Sequence, residues 1–169
     1  MRFKMSRIKL WGFSGVIFVL FFTGCKSEAI WTKQERQEID DYLKTLPEGE
    51  PILKASGLYY IELIHGPGQS PVKNDIVYFR YKGTFLNGIA FDSLSITNNL
   101  PYEYQIGSGT IVSGVDEGLR YMQVGGISRL LTPSKLAYGA EGIWGSVPGY
   151  TPLLWEIHLD SIKSGSVKK

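Results

Sequence analysis

Between Pro101 and Gly118 the chain reads Pro-Tyr-Glu-Tyr-Gln-Ile-Gly-Ser-Gly-Thr-Ile-Val-Ser-Gly-Val-Asp-Glu-Gly. Tyr102, Tyr104 and Ile106 alternate as the inner face of a short strand. Gly107 and Gly109 bound a turn, and Ile111, Val112 and Val115 crowd around the start of an amphipathic helix. Apolar side chains gathered about a bend build a shallow pocket with a few free backbone N–H groups at its edge. Two other fragments carry aromatic and polar groups, Phe91-Asp92-Ser93 upstream and Ala137-Tyr138-Gly139 downstream, the latter with a phenol. Residues for other chemistries are not legible. There is no nucleophile elbow, phosphate loop or carboxylate pair, and Gly107-Ser108-Gly109 lacks the spacing and helix-opening context of a dinucleotide fingerprint. His65 and His158 stand far apart without cysteine or acidic companions at ligand spacing, so neither a metal nor a cofactor is expected. His158 alternates with an apolar face and is expected to meet solvent.

The elements that must hold these residues are mostly strands. Leu58 to Ile64 is rich in β formers and ends at Gly66-Pro67-Gly68, a turn signal. Ile76 to Gly83 alternates, with Val77, Phe79 and Tyr81 on one face and Arg80 and Lys82 on the other. Asn87-Gly88 is a hairpin turn. Val115, Leu119 and Met122 share one face of a short helix. Leu130 belongs to a further strand, and Leu153, Trp155, Ile157 and Leu159 to the last. The expected fold class is α+β, a curved antiparallel sheet around a short helix. Upstream, Thr32-Lys33-Gln34-Glu35 has the pattern of a capping box, predicting a helix from about Lys33 to Leu46 with Ile39, Leu43 and Leu46 on one face. Pro47 and Gly49 would stop it. Residues from Lys26 to Ile30 read as a tether, and the helix either packs on the main domain or acts as a spacer.

The whole chain has 169 residues, 43% of them hydrophobic, enough for one packed domain with some length to spare. Arg2, Lys4, Arg7 and Lys9 hold four of its 18 basic residues; without them 14 basic face 16 acidic, so no basic stripe remains for nucleic acid. Those four precede an apolar run from Leu10 to Phe22, of signal-peptide length and shorter than the ~20 residues of a membrane span. Phe22-Thr23-Gly24-Cys25 follows and resembles a bacterial lipobox, with Phe22 in place of the usual leucine. It implies lipidation of Cys25, the only cysteine, and hence a partner in the lipid bilayer and a location in the bacterial cell envelope. The other reading of Cys25 is a small hydrophobe at the end of an uncleaved helix. Lys26-Ser27 carries no aspartate retention signal, which favours the outer membrane. The expected division is a signal peptide at 1–24, tether and helix at 25–54, the main domain at 55–163 and a tail at 164–169.

Seven fragments in order, from Gly57-Leu58-Tyr59-Tyr60 to Trp155-Glu156-Ile157, resemble the FKBP-type peptidyl-prolyl isomerase domain over roughly Ala55 to Lys163. Among them are Tyr81-Lys82-Gly83, Phe91-Asp92-Ser93, Met122-Gln123-Val124-Gly125-Gly126 and Leu136-Ala137-Tyr138-Gly139. The resemblance implies an enzyme that isomerises X-Pro bonds, with proline-containing polypeptides as partners. It implies a pocket lined by Tyr81, Phe91, Asp92, Tyr102, Tyr104, Ile111, Val112, Val115, Tyr138 and Trp155, overhung by a loop with Ile143 and Val147. By the same resemblance Tyr81, Asp92 and Tyr138 carry the catalytic roles, Val112 N–H binds the carbonyl after proline, and Asp92 orients Tyr81. Two positions depart from the family: Val115 stands where tryptophan usually floors the pocket, and Trp155 where phenylalanine is usual. Trp144, in a glycine-rich loop, reads either as an exposed substrate contact or as a lid plug. The alternative to an enzyme is an FKBP-like module that grips proline segments with little turnover in an envelope machine, gliding-motility complexes of Bacteroidota being one setting where such lipoproteins look at home.

Overall fold

The computed structural model describes residues 23–46, 48–92 and 100–165. In chain order these form α1 (Thr23–Lys44), β1 (Pro51–Leu53), β2 (Tyr59–Ile64), β3 (Ile76–Phe85), β4 (Ala90–Asp92), β5 (Tyr102–Gln105), α2 (Ser113–Leu119), β6 (Ile127–Thr132), a 3₁₀ turn (Ser134–Leu136) and β7 (Leu153–Lys163). The apolar run before Thr23, Pro47, Ser93 and the end of the tail (166–169) lie outside the described residues.

All strand pairs are antiparallel, in the order β1-β2-β6-β7-β3-β4. The long central strand β3 serves two partners on its other side. Ile76–Phe79 pair with β5, and Gly83 and Thr84 with β4. Tyr81 lies between these two contacts, at the place where the sheet opens. A bulge at Asp160 breaks the β3–β7 register between Tyr78 and Phe79, and Arg80 grips that residue with two bonds of 2.9 and 2.6 Å.

The alternation expected for β3 and β7 sets the core. Val77, Phe79, Leu153, Trp155, Ile157 and Leu159 are all buried, while His158 lies outward beside Glu156 at 3.4 Å. Val115, Leu119 and Met122 from α2 and the turn after it complete the cluster. That helix lies very close to β6. A Cβ on Gly118 would sit 2.2 Å from Leu130 Cδ1, and one on Gly114 would sit 2.5 Å from Thr132 Cγ2. The two glycines therefore let a seven-residue helix nest against the sheet, which it could not do with side chains at those places.

The N-terminal helix departs from expectation. Over the described residues it covers Thr23–Lys44, so the residues from Lys26 to Ile30 are helical rather than a tether, and it ends at Lys44. Thr32 is no cap: its hydroxyl donates back to the carbonyls of Glu28 and Ala29 inside the helix. Lys26 to Trp31 contains no glycine or proline to stop a helix, and Glu35, the expected partner of Thr32, is engaged elsewhere. The sheet also starts at Pro51, upstream of the expected boundary at residue 55, because β1 pairs with β2.

Candidate active site

A cavity of about 470 Å³ opens where β3 parts from β4 and β5. Its wall is built from six parts of the chain: Phe79 and Tyr81 of β3, Asp92 of β4, Tyr102 of β5, the turn from Gly109 to Ser113 with Val115 of α2, Ala137 and Tyr138 after the 3₁₀ turn, and Trp155 of β7. The volume lies in the range of small-ligand sites and admits a five-membered ring.

The rings meet edge to face or tilted. Tyr81 and Tyr102 meet at 6.0 Å and 89°, and Tyr81 and Trp155 at 6.0 Å and 52°. Trp155 is 4% exposed and needs a partner for its indole N–H. Thr132 supplies it: Nε1 donates to Thr132 Oγ1 at 3.0 Å, and that hydroxyl donates on to the Leu153 carbonyl at 3.1 Å. Phenylalanine would need no such relay, so Trp155 and Thr132 act as a pair. Gly83 makes room for the rings, since a Cβ there would fall 2.6 Å from Phe91 Cζ and 3.0 Å from Trp155 Cζ3.

Polar groups reach the cavity at three points. The Tyr81 hydroxyl donates to Asp92 Oδ2 at 2.7 Å. Burial, and then the adjacent carboxylate, hold the Tyr81 phenol well above its ordinary pKa, so it stays a donor. Tyr138 is half-buried, and burial followed by the Asp92 charge raises its pKa too. Among the described residues its hydroxyl has no hydrogen-bond partner, and neither has the N–H of Val112 at the start of α2.

Of the residues expected at the site, Tyr81, Asp92, Tyr102, Ile111, Val112, Val115, Tyr138 and Trp155 line the cavity. Four do not. Tyr104 is 2% exposed, and its hydroxyl is drawn under α2 to Asp116 Oδ1 at 2.8 Å. Phe91 stands behind the wall, 5.2 Å from Trp155 and 6.4 Å from Tyr138, where it backs both rings. Ile143 and Val147 pair with each other across a loop bridge and are not part of the cavity wall, with Val147 sunk in the core. Trp144, at the tip of that loop, is fully exposed and plugs nothing.

Sequence reasoning passed over Phe79, Thr132 and Asp116. Phe79 was available from its alternation with Tyr81. Asp116 ties the turn to the helix by accepting from Tyr104, from Gly107 N–H at 2.7 Å and from Arg120; no local pattern marks that role.

The family model for the FKBP-type peptidyl-prolyl cis-trans isomerase matches residues 68–160. An FK506-binding protein of Neisseria meningitidis serogroup B is 36% identical over 103 residues, covering 61% of this chain and 94% of the relative. The FKBP-type isomerase FkpA of Buchnera aphidicola is 36% identical over 110 residues, which is 65% of this chain; the chain spans 42% of that relative's length. The crystal structure of a peptidyl-prolyl cis-trans isomerase from Pseudomonas syringae pv. tomato superposes with a TM-score of 0.69 at 32% identity, covering 80% of this chain and 96% of the other. The motifs that line the cavity fall inside the matched span, and the chain belongs to the FKBP-type peptidyl-prolyl cis-trans isomerase family.

Proposed function

We propose that the protein isomerises X-Pro bonds of exported or envelope polypeptides from a lipid anchor at Cys25. The observation that carries the reading is the placing of two unengaged donors, Tyr138 OH and Val112 N–H, on the rim of an aromatic cavity that contains the Tyr81–Asp92 bond.

The planar X-Pro amide is held by conjugation, with a barrier of about 20 kcal/mol and relaxation over ~10–100 s. In the twisted form conjugation is lost, and the carbonyl oxygen carries less negative charge. No acid, base or nucleophile is needed, only tighter binding of the twisted form than of the planar ones. Tyr81, Val115 and Trp155 take the prolyl ring out of water, which otherwise favours the polar planar amide. Val112 N–H and Tyr138 OH hold the flanking peptide carbonyls. The Asp92 carboxylate sets a negative field beside the rotating carbonyl, opposing its planar, more negative state. A thousandfold acceleration needs about 4 kcal/mol of such preference.

A second reading, a proline-binding module with little turnover, draws on Val115, which supplies less floor than the tryptophan usual in the family. A protease-coupled assay on a short prolyl p-nitroanilide peptide separates the two. A catalysed rate supports the enzyme; peptide binding without one supports the module.

A further inference from the structure

One buried carboxylate has no part in the steps above. Glu35, on α1, is 9% exposed and turns both oxygens onto a single residue: Oε1 accepts the Ser134 N–H and Oε2 the Ser134 hydroxyl at 3.0 Å. Ser134 opens the 3₁₀ turn that leads into Tyr138. Its N–H is one of the donors that a helix start leaves without a partner, and Pro133 in front of it offers no side-chain cap. The cap comes instead from 99 residues away.

The same residue holds Tyr138 from behind. The Ser134 carbonyl accepts from Ala137 N–H at 2.9 Å and from Gly139 N–H at 2.8 Å, the neighbours on either side of Tyr138. α1 touches this segment a second time. Trp31 stacks on Tyr150 at 6.3 Å, and Tyr150 N–H donates to the Gly139 carbonyl at 2.9 Å. A helix docked for packing alone needs only apolar residues such as Ile39, which is also buried here; a carboxylate is tolerated inside only when hydrogen-bonded, and then it fixes its partner's position.

We propose that Glu35 is a positioning residue for Tyr138, so that α1 completes the prolyl site instead of serving as a spacer. The proposal rests on the isomerase reading above. Its test is a cycle crossing Glu35→Ala and Glu35→Gln with Tyr138→Phe in the full-length protein, read by kcat/KM, by urea unfolding and by the Ser134 amide proton shift. Loss of a charge-assisted bond predicts a fall of about tenfold in kcat/KM for Glu35→Ala. Glu35→Gln, which keeps an acceptor for the N–H, should recover most of it. In the Tyr138→Phe background neither change should lower the rate further, and the Ser134 amide proton should move upfield in step with the loss. Equal losses in both backgrounds, or lower stability with kcat/KM unchanged, would overturn the proposal. Should Glu35→Ala fail to fold, Glu35→Met, which keeps the bulk of the side chain and removes both acceptors, takes its place in the cycle. A wild-type protein with no catalysed rate would defeat the isomerase reading; the cycle is then read in the Kd of a proline tetrapeptide, where additivity would overturn the role of Glu35.

Discussion

Asp92 has two jobs in the proposed mechanism, and they can be pulled apart. It accepts the 2.7 Å bond from Tyr81 OH, and it places a charge beside the rotating carbonyl. At a separation of about 5 Å and an effective dielectric near 20, a unit charge is worth ~3 kcal/mol. If the amide oxygen gives up about a third of a charge on twisting, the carboxylate favours the twisted form by ~1 kcal/mol, about fivefold in rate. Freeing Tyr81 to move adds ~1 kcal/mol more. Asp92→Asn keeps an acceptor and removes the charge, so kcat/KM should fall about fivefold. Asp92→Ala removes both, and about thirtyfold is expected. Tyr81→Phe keeps the charge but takes away the donor; it should cost ~1–2 kcal/mol of stability with a smaller effect on rate than Asp92→Ala. The protease-coupled assay and urea unfolding report the two quantities on the same samples. An Asp92→Asn variant as fast as wild type would refute the field argument, and an Asp92→Ala variant as fast as wild type would place the site elsewhere.

Gly83→Ala should destabilise the fold by ~1–3 kcal/mol, because its Cβ must displace Phe91 and Trp155; an unchanged urea midpoint would mean that the rings yield freely. Tyr60, Tyr81, Tyr104 and Tyr138 all have raised pKa values, with burial the first cause. The folded state thus holds these protons more tightly than the unfolded chain, so their contribution is complete below about pH 10 and is lost as pH rises from there through the raised folded-state values. Urea unfolding across that range should show the decline, shallower in Tyr81→Phe; a flat profile would contradict it. Cys25→Ser should release the protein from the membrane fraction and abolish incorporation of labelled palmitate, whereas persistent membrane association would argue for an uncleaved apolar N-terminus.

Much of this molecule is written in periodicity. A period of two marks which side of β3 and β7 turns inward, and it does so because successive strand residues must point to opposite faces. Val77, Phe79, Trp155 and Ile157 were legible on that ground alone, as was the buried stripe of Val115, Leu119 and Met122. The family motifs then named Tyr81, Asp92 and Tyr138. Periodicity assigns a face but not a depth or a partner. Tyr102 and Tyr104 share a face of β5, yet one opens onto the cavity and the other is pulled under α2, because only Tyr104 stands within reach of Asp116. Ile143 and Val147 sit in a loop whose own bridge joins them to each other, and neither is part of the cavity wall.

The clearest contrast is Glu35. Four residues in a row suggested a local cap with Thr32, and sequence spacing could suggest nothing else. In the folded chain both oxygens belong to Ser134, because docking α1 buries the carboxylate and leaves it no water to bond. Local order along the polymer determined the strands, the helix faces and the ring-bearing motifs. Tertiary packing decided which polar groups met across long separations, since a buried donor or acceptor must find its partner wherever the fold brings one.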